Sequence, residues 1–278
     1  MITLTRIELY KLFKSSRTYL TFGIAVVLML VIDLGLYSDG EEVFAYLLQA
    51  ISEYFYLEGN LVNGYLIAYL ALNTLWVHLP ILIVIVTAHI FAGEFEYGTI
   101  RLLLTQTPDR LECFVAKFIA MAIYILCFML VVALAAILPS ALIFGTGDVV
   151  VFMDGIQFLQ EDSFLTRFFQ TLGFATLGML AFSSLTMLFA LWFRNTLTAI
   201  LMSLGILILL TLLQKFVFGV FSSWQPFLFS YHMSNWQLFF VNEIPYDAIF
   251  FSVLYLIVMI VVCFIVGLLK FKRMNITE

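Results

Sequence analysis

Long apolar runs alternate with short polar segments along the chain, and six of the runs are long enough to cross a lipid bilayer. A transmembrane helix needs about 20 predominantly apolar residues to cross roughly 30 Å of hydrocarbon. Charged residues and helix-breaking residues set the limits of each run. We therefore predict an all-α membrane protein whose single polytopic domain covers residues 1–278. The predicted spans lie at about residues 18–37, 73–92, 118–138, 168–193, 196–214 and 249–269, the third of them ending before Pro139.

The composition agrees with this fold class. Hydrophobic residues make up 64% of the chain and charged residues 11%, which is too little polar surface to coat a water-soluble globule. A chain this apolar is expected to be surrounded by membrane lipid. Its basic residues form no cluster of the kind that binds a phosphate backbone, so nucleic acid is not an expected partner.

Lysine and arginine are distributed unequally between the two sides of the membrane. With six spans both termini share one side, and that side holds eleven of the thirteen basic residues. Cytoplasmic flanks carry such an excess, so both termini are predicted to be cytoplasmic. The sole N-glycosylation sequon, Asn275-Ile276-Thr277, lies in the predicted cytoplasmic tail, which favours the plasma (inner) membrane of a bacterium. The eleven residues are Arg6, Lys11, Lys14, Arg17, Arg101, Arg110, Lys117, Arg194, Lys270, Lys272 and Arg273.

The segment before the first span has helical periodicity. Its apolar and basic residues fall on different sides of a helix over about residues 2–16, which predicts an amphipathic helix at the membrane interface. The alternative interpretation is a basic flank that only sets the orientation of the first span. The apolar side holds Ile2, Leu9, Leu12 and Phe13, and the basic side holds Arg6, Lys14 and Arg17.

Two segments on the predicted outer side also carry a pattern. Apolar residues recur near helical spacing over residues 43–55, which predicts a helix resting on the outer interface. Aromatic residues crowd between spans five and six, over residues 216–246. Such rings either lie at headgroup depth or pack where the chain returns against other helices.

A search for catalytic and cofactor motifs finds none. The sequence has no G-x-x-x-x-G-K-[ST] motif for ATP phosphates and no H-E-x-x-H motif or clustered set of metal ligands. We therefore expect no enzymatic activity and no cofactor in this chain. Asp33 lies toward the outer end of span one, where its carboxylate is expected to reach the surface.

A long polar-rich run joins spans two and three on the predicted cytoplasmic side. Gly98 is expected to end the helix that descends from span two, and Thr99 to cap a new short helix. Thr107 is expected to cap the next helix, with Pro108 at its first position and Asp109 near its positive end. The pattern predicts a short rigid element between two spans.

The same run has a recognisable order of residues. An acidic pair is followed by Gly-Thr, an arginine, a leucine cluster, a proline, a second arginine and a lysine. These residues are Glu94, Glu96, Gly98, Thr99, Arg101, Leu102, Leu103, Leu104, Pro108, Arg110 and Lys117. In order and spacing the run resembles the signature between spans two and three of ABC-2 type transporter permeases.

The resemblance implies a subunit of a larger machine. The short element would be a coupling helix seated in a separate ATP-binding subunit, with the N-terminal helix packed nearby. Two copies of that subunit would bind ATP and Mg, and a second permease chain, identical or not, would complete an exporter of an amphiphilic cargo such as a peptide, lipid or drug. The residues expected to contact the ATPase or to brace the joint are Glu94, Glu96, Gly98, Thr99, Arg101, Pro108 and Arg110.

Three other functions stay open, of which an intramembrane enzyme is disfavoured because no nucleophile, base or metal constellation converges in the sequence. A relative of the ABC-2 permeases could transmit ATP-driven motion to an extracytoplasmic maturation partner, as in systems for copper enzymes. A stand-alone secondary transporter could instead use an ion gradient. No carboxylate is predicted near mid-depth of the membrane, which disfavours a proton relay, although His78 in the second span keeps that alternative open.

Overall fold

The structure, a computed structural model, describes residues 1–52, 62–100, 109–152, 156–216 and 222–274. Within those ranges six helices are long and apolar enough to cross a membrane, so the chain is an α-helical, multi-pass membrane protein. In chain order the described helices are α1 (Ile2–Lys14), α2 (Ser16–Ser52), α3 (Gly64–Leu75), α4 (His78–Glu96), α5 (Arg110–Phe144), α6 (Glu161–Phe193), α7 (Thr196–Phe216), α8 (Phe229–Ser234) and α9 (Tyr246–Arg273). The six that are long and apolar enough are α2, α4, α5, α6, α7 and α9.

The second span begins later than the sequence predicts. The apolar run starting near residue 73 is divided between α3 and α4, with Trp76 and Val77 between the two helices. Pro80 explains the break, because its ring has no N–H and would clash with the carbonyl of residue 76 in a continuous helix. In α4 Pro80 instead lies in the first turn, where no intrahelical N–H bond is lost.

Two helices are longer than their predicted spans. Pro139 was expected to end the third span, but it lies inside α5, which continues to Phe144. Helix α2 continues through Ser52, so the helix predicted to rest separately on the outer interface is, in its described part, an extension of span one. Residues 53–55 of that predicted helix lie outside the described residues.

A small hairpin between α5 and α6 departs from the all-α prediction. Its strands, β1 (Val149–Phe152) and β2 (Ile156–Leu159), pair antiparallel with Val149 opposite Leu159. Strands of four residues offer too few positions for a period of two to be recognised in the sequence. The hairpin is joined to α3, because the Asn63 side-chain amide donates to the Asp148 carbonyl at 2.6 Å.

The aromatic segment between spans five and six packs against other helices. It contains α8 and two 3-10 helices, Ser222–Phe227 and Asn235–Phe240. The Trp236 ring is buried, with its centroid 5.1 Å from that of Trp76 in the link between α3 and α4. The sequence allowed these rings either to lie at headgroup depth or to pack against other helices. Trp236 packs against another helix, whereas Trp224 is 62% exposed.

Helix α6 is at the centre of the bundle. In its most apolar stretch, 67% of the residues are buried, against 11% in the corresponding stretch of α7 and 22% in those of α2 and α9. Small side chains on α6, including Ala181, Ser183 and Ser184, are fully buried and allow neighbouring helices to approach closely. The outward faces of α2, α7 and α9 are apolar surface that lipid would cover.

Candidate functional site

The candidate site lies at the end of the bundle that carries Met1, Arg110 and Met274, which we call the terminal end. The Met1 amine lies 3.2 Å from Glu112 Oε2 on α5. Arg110 donates to the carbonyls of Lys272 and Met274, each at 2.9 Å. These contacts place the beginning of α1, the beginning of α5 and the end of α9 side by side.

Lys117 is the centre of the site. Its side chain is 2% exposed, and its ammonium lies 3.2 Å from Glu8 Oε2 and 3.0 Å from Glu94 Oε2. The same ammonium donates to the Ile90 carbonyl at 3.2 Å. A buried ammonium needs both compensating charge and hydrogen-bond acceptors, and this arrangement supplies them from α1 and α4.

Lys11 joins these three ions and completes a network of four charges. Its ammonium lies 2.5 Å from Glu8 Oε1 and 2.7 Å from Glu94 Oε1. Lys11 is about half exposed, whereas Glu8 and Glu94 are 9% and 17% exposed. Two lysines and two carboxylates therefore alternate, and together they fasten α1 to α4 and α5. We call Glu8, Lys11, Glu94 and Lys117 the terminal ion network.

Glu96 joins α4 to α7. Its Oε2 accepts the Thr196 hydroxyl hydrogen bond at 2.6 Å, and its Oε1 accepts from the Thr196 backbone N–H at 3.2 Å. Asn195 Nδ2 donates to the same Oε1 at 3.1 Å. A carboxylate at this place satisfies an unpaired N–H of the first turn and stabilises the positive end of the helix dipole.

The seven predicted coupling residues fall into three groups, of which one, Gly98 and Thr99, lies in the connection directly after α4. Glu94, Glu96 and Arg110 are brought to the terminal end, where each bonds to another element of the same chain. Arg101 and Pro108 lie outside the described residues. Whether any of these side chains contacts an ATPase stays a prediction.

In its described part, the connection after α4 agrees with the prediction that Gly98 ends this helix. Helix α4 ends at Glu96, and Gly98 has a φ of 68°, a left-handed conformation that suits glycine. Thr99 was expected to cap a new short helix, and the next residue, Ile100, is helical. The Thr99 hydroxyl itself donates to the Glu94 carbonyl at 3.5 Å. The rest of the short helix lies outside the described residues, so the coupling helix stays a prediction.

The start of α5 differs from the prediction by two residues. Thr107 was expected to cap this helix with Pro108 at its first position. The N-cap is instead Asp109, whose carboxylate accepts the Leu111 N–H at 3.1 Å, and the helix begins at Arg110. Aspartate and threonine are both good N-cap residues, so the sequence alone did not decide between them.

The N-terminal segment forms a helix, α1, whose buried side differs from the predicted apolar side. Leu12 is buried as expected, but Ile2 is 86% exposed and the second buried residue is the acidic Glu8. Leu9 and Phe13 are half-buried, and Arg6 and Lys14 are exposed. Contact of α1 with the membrane interface stays a prediction.

Sequence reasoning missed the role of Glu8. It is the sole acidic residue before Asp33, in a segment otherwise marked by basic residues, and it precedes Lys11 by one helical turn. An isolated acid on the buried side of an amphipathic helix was the available signal for a partner lysine elsewhere. In the described ranges, no group of three or more His, Cys, Asp or Glu side chains could hold a metal ion.

Comparison with known proteins gives two matches. Residues 19–277 match the family described as "Protein of unknown function (DUF2705)". The chain is also 24% identical over 151 residues to "Uncharacterized protein YhcI" of Bacillus subtilis (strain 168). That alignment covers 52% of this chain and 47% of the Bacillus protein, so the chain spans about half of the length of this relative.

Proposed function

We propose, from the premise that the chain belongs to the DUF2705 family, that it is the permease subunit of an ATP-driven transporter of ABC-2 type. The observation that supports this proposal most directly is the terminal ion network. It connects the N-terminal helix to the ends of the two spans between which the ABC-2-like signature lies. A force applied to the segment that joins these two spans would act on both spans and on α1.

Further contacts extend the unit on which such a force would act. Glu96, at the last position of α4, caps α7, and Arg110, at the first position of α5, binds the carbonyl end of α9. Glu96 and Arg110, which stand on either side of the segment that joins α4 to α5, therefore each bind another span. Packed helices with defined contacts transmit displacement, whereas a solvated loop with free side chains would not.

The proposal assigns the remaining parts as follows. Both termini are cytoplasmic, α1 lies at the interface, and a coupling helix between α4 and α5 contacts an ATP-binding subunit. Two such subunits bind ATP and Mg and supply the free energy, and a second permease chain completes the path for an amphiphilic cargo. The cargo must bind the two states of the permease with different affinity, since otherwise it could not bias the conformational change. The assembly is placed in a bacterial plasma membrane.

Co-purification tests the proposal. The tagged chain is extracted from its native membranes, and bound proteins are examined for a soluble P-loop ATPase. Arg101→Glu reverses a charge in the proposed coupling helix, and Arg273→Glu is the matched control at the end of α9, where Arg273 is exposed. Wild type and Arg273→Glu should retain the ATPase, and Arg101→Glu should lose it. Absence of any ATPase from the wild-type preparation would contradict the proposal.

One observation favours a secondary transporter as the second candidate. Asp33 was expected to reach the surface, but it is 1% exposed and bound by the Ser140 hydroxyl of α5 at 2.8 Å. Its Oδ2 is buried with no hydrogen-bond partner among the described residues. An intramembrane carboxyl of this kind is a candidate ion or proton site. Gradient-driven uptake by the lone chain in vesicles, lost in Asp33→Asn, would establish this alternative.

The end of the bundle opposite the terminal end is relevant to the alternative in which the permease transmits motion to an extracytoplasmic partner. There β1–β2 presents Phe158 at 57% exposure, and Phe227 of the aromatic segment is 71% exposed. Exposed aromatic rings suit either headgroup contact or protein contact. Loss of an extracytoplasmic partner on changing both rings to serine, with the ATPase still bound, would favour this version of the function.

A further inference from the structure

A cavity of about 420 Å³ lies beside the terminal ion network, between α1, α2, α4 and α5. This volume is in the range of small-molecule sites. One part of its wall is apolar, formed by Leu12, Val86 and Ile90. The other part is polar and includes Arg17, His89 and Tyr97 together with the four residues of the network. The cavity therefore offers an apolar region and a charged region side by side.

The charges around the cavity do not cancel. Among the described lining residues, Lys11, Arg17 and Lys117 are cations, whereas only Glu8 and Glu94 are anions. Both carboxylates already bind both lysines. Arg17 is left without a carboxylate in the described part of the chain, and one positive charge is in excess.

The Arg17 guanidinium is incompletely bonded. Its Nη2 donates to the Tyr97 hydroxyl at 3.3 Å, a long and neutral hydrogen bond. Its Nη1 is buried and has no partner among the described residues. A buried donor without an acceptor is unfavourable. Arg17 lines the cavity, so a rotation of its side chain toward an anionic acceptor there would remove that penalty. His89 Nδ1, on the same wall, is also buried without a described partner.

We propose that this cavity binds a phosphate group, with Arg17 as its principal ligand. A phosphodiester carries one negative charge, which matches the excess, and its oxygens accept hydrogen bonds from the arginine fork. An anionic phospholipid and a soluble phosphate share this chemistry. The apolar wall and the position between helices at a basic membrane flank favour the phospholipid, whose chains would lie along Leu12, Val86 and Ile90. This inference does not rest on the transport function.

Lipid titration of the isolated chain tests the site. The detergent-solubilised chain is titrated with phosphatidylglycerol, and bound lipid is measured by native mass spectrometry. Arg17→Gln should weaken binding about tenfold, the effect of losing one charge-assisted hydrogen bond. Lys14→Gln is the matched control, because Lys14 carries the same charge three residues away but does not line the described cavity wall. It should change the affinity less than about twofold, and Arg17→Lys should fall between the two.

A second variant covers the case in which Arg17→Gln does not fold, as judged by gel filtration and circular dichroism. Ser15→Leu fills part of the cavity without changing a charge, since Ser15 lines its wall. It should also weaken phosphatidylglycerol binding. Unchanged binding in the folded variants, or equal losses in Lys14→Gln and Arg17→Gln, would overturn the proposal.

Competition with inorganic phosphate distinguishes the two sources of the group. If the ligand is a phospholipid, a large excess of phosphate should leave bound phosphatidylglycerol in place. If phosphate displaces the lipid with the same dependence on Arg17, the phosphate site is supported and its ligand is soluble. Failure of wild type to bind either probe would refute the site, whereas co-purification of an ATPase would be unaffected by that result.

Discussion

Lys117 shows how one residue determines the arrangement of three helices. It is buried, and the two carboxylates that compensate its charge come from α1 and α4. A buried ion pair is often no more stabilising than an apolar pair, but removal of one partner leaves an uncompensated charge. The network therefore fixes which elements meet more than it adds to stability.

Substitution of Lys117 should be strongly destabilising. Lys117→Met leaves Glu8 and Glu94 with Lys11 alone and should lower the free energy of unfolding by about 3 kcal/mol. Thermal unfolding in detergent measures the change, with Lys14→Met as an exposed control expected within about 0.5 kcal/mol of wild type. Adding Glu8→Gln and Glu94→Gln to Lys117→Met should recover much of the loss. No recovery would mean that the charges are not what the network balances.

Gly64 is a second position at which one atom matters. It is the first residue of α3, and its backbone N–H donates to the Gly145 carbonyl at 2.8 Å. A Cβ at this position would overlap the backbone carbonyl of Ser140 in α5, which has no freedom to move aside. Gly64→Ala should therefore destabilise the protein by about 1–3 kcal/mol.

Gly23→Ala is the matched control for that substitution. Gly23 lies in α2, and an added Cβ there meets no atom within 4 Å. Alanine in a helix interior is favoured over glycine by about 0.5–1 kcal/mol, so this variant should unfold at the same or a higher temperature. Equal destabilisation by both alanines would show that α3 and α5 do not approach as closely as described.

At the scale of elements, the sequence predicts what depends on average hydrophobicity. Six long apolar helices follow from runs of about 20 apolar residues, because lipid leaves a spanning helix no other way to satisfy its backbone. The division at Trp76 and the continuation of α5 through Pro139 did not follow, although both involve a proline. Whether a proline breaks a helix or is tolerated in it depends on how neighbouring groups satisfy the freed carbonyls.

The candidate site was predicted in the same partial way. The motif directed attention to Glu94, Glu96 and Arg110, but their partners come from α1, α7 and α9, far away in sequence. A local pattern carries no information on which distant helix end faces a given carboxylate. Glu8 lacked even a local motif and becomes meaningful only when Lys117 is placed beside it.

Helix α7 should depend on Glu96 for the order of its first turn. Glu96→Gln removes the negative charge at the start of α7 and weakens the hydrogen bond that the Thr196 backbone N–H donates to the residue 96 side chain. The loss of about 1 kcal/mol of capping energy should raise amide hydrogen exchange in residues 196–199 about fivefold. The first turn of α9, which begins at Tyr246, is an internal reference and should not change. Faster exchange in both helices would indicate a general loss of stability instead of a lost cap.

At the scale of the whole molecule, the proposed function requires one particular orientation of the protein in the membrane. The terminal end must be cytoplasmic, because an ATP-binding subunit can reach the coupling segment only from there. Tyr97 is 65% exposed just beyond the end of α4, and Phe158 is 57% exposed in the hairpin. Helix α5, which lies between these two regions, is long and apolar enough to cross the membrane once. The proposed topology therefore places the two side chains in opposite compartments.

Cysteine labelling decides the orientation. In a background in which Cys113, Cys127 and Cys263 are replaced by alanine, Tyr97→Cys and Phe158→Cys are treated in intact cells with a membrane-impermeant maleimide. The basic excess at the terminal end predicts labelling of Phe158→Cys only, with Tyr97→Cys labelled after permeabilisation. Labelling of Tyr97→Cys in intact cells would place the motif outside, beyond the reach of any ATPase. The ion network would then be a structural joint, and the buried Asp33 would become the better starting point for a function.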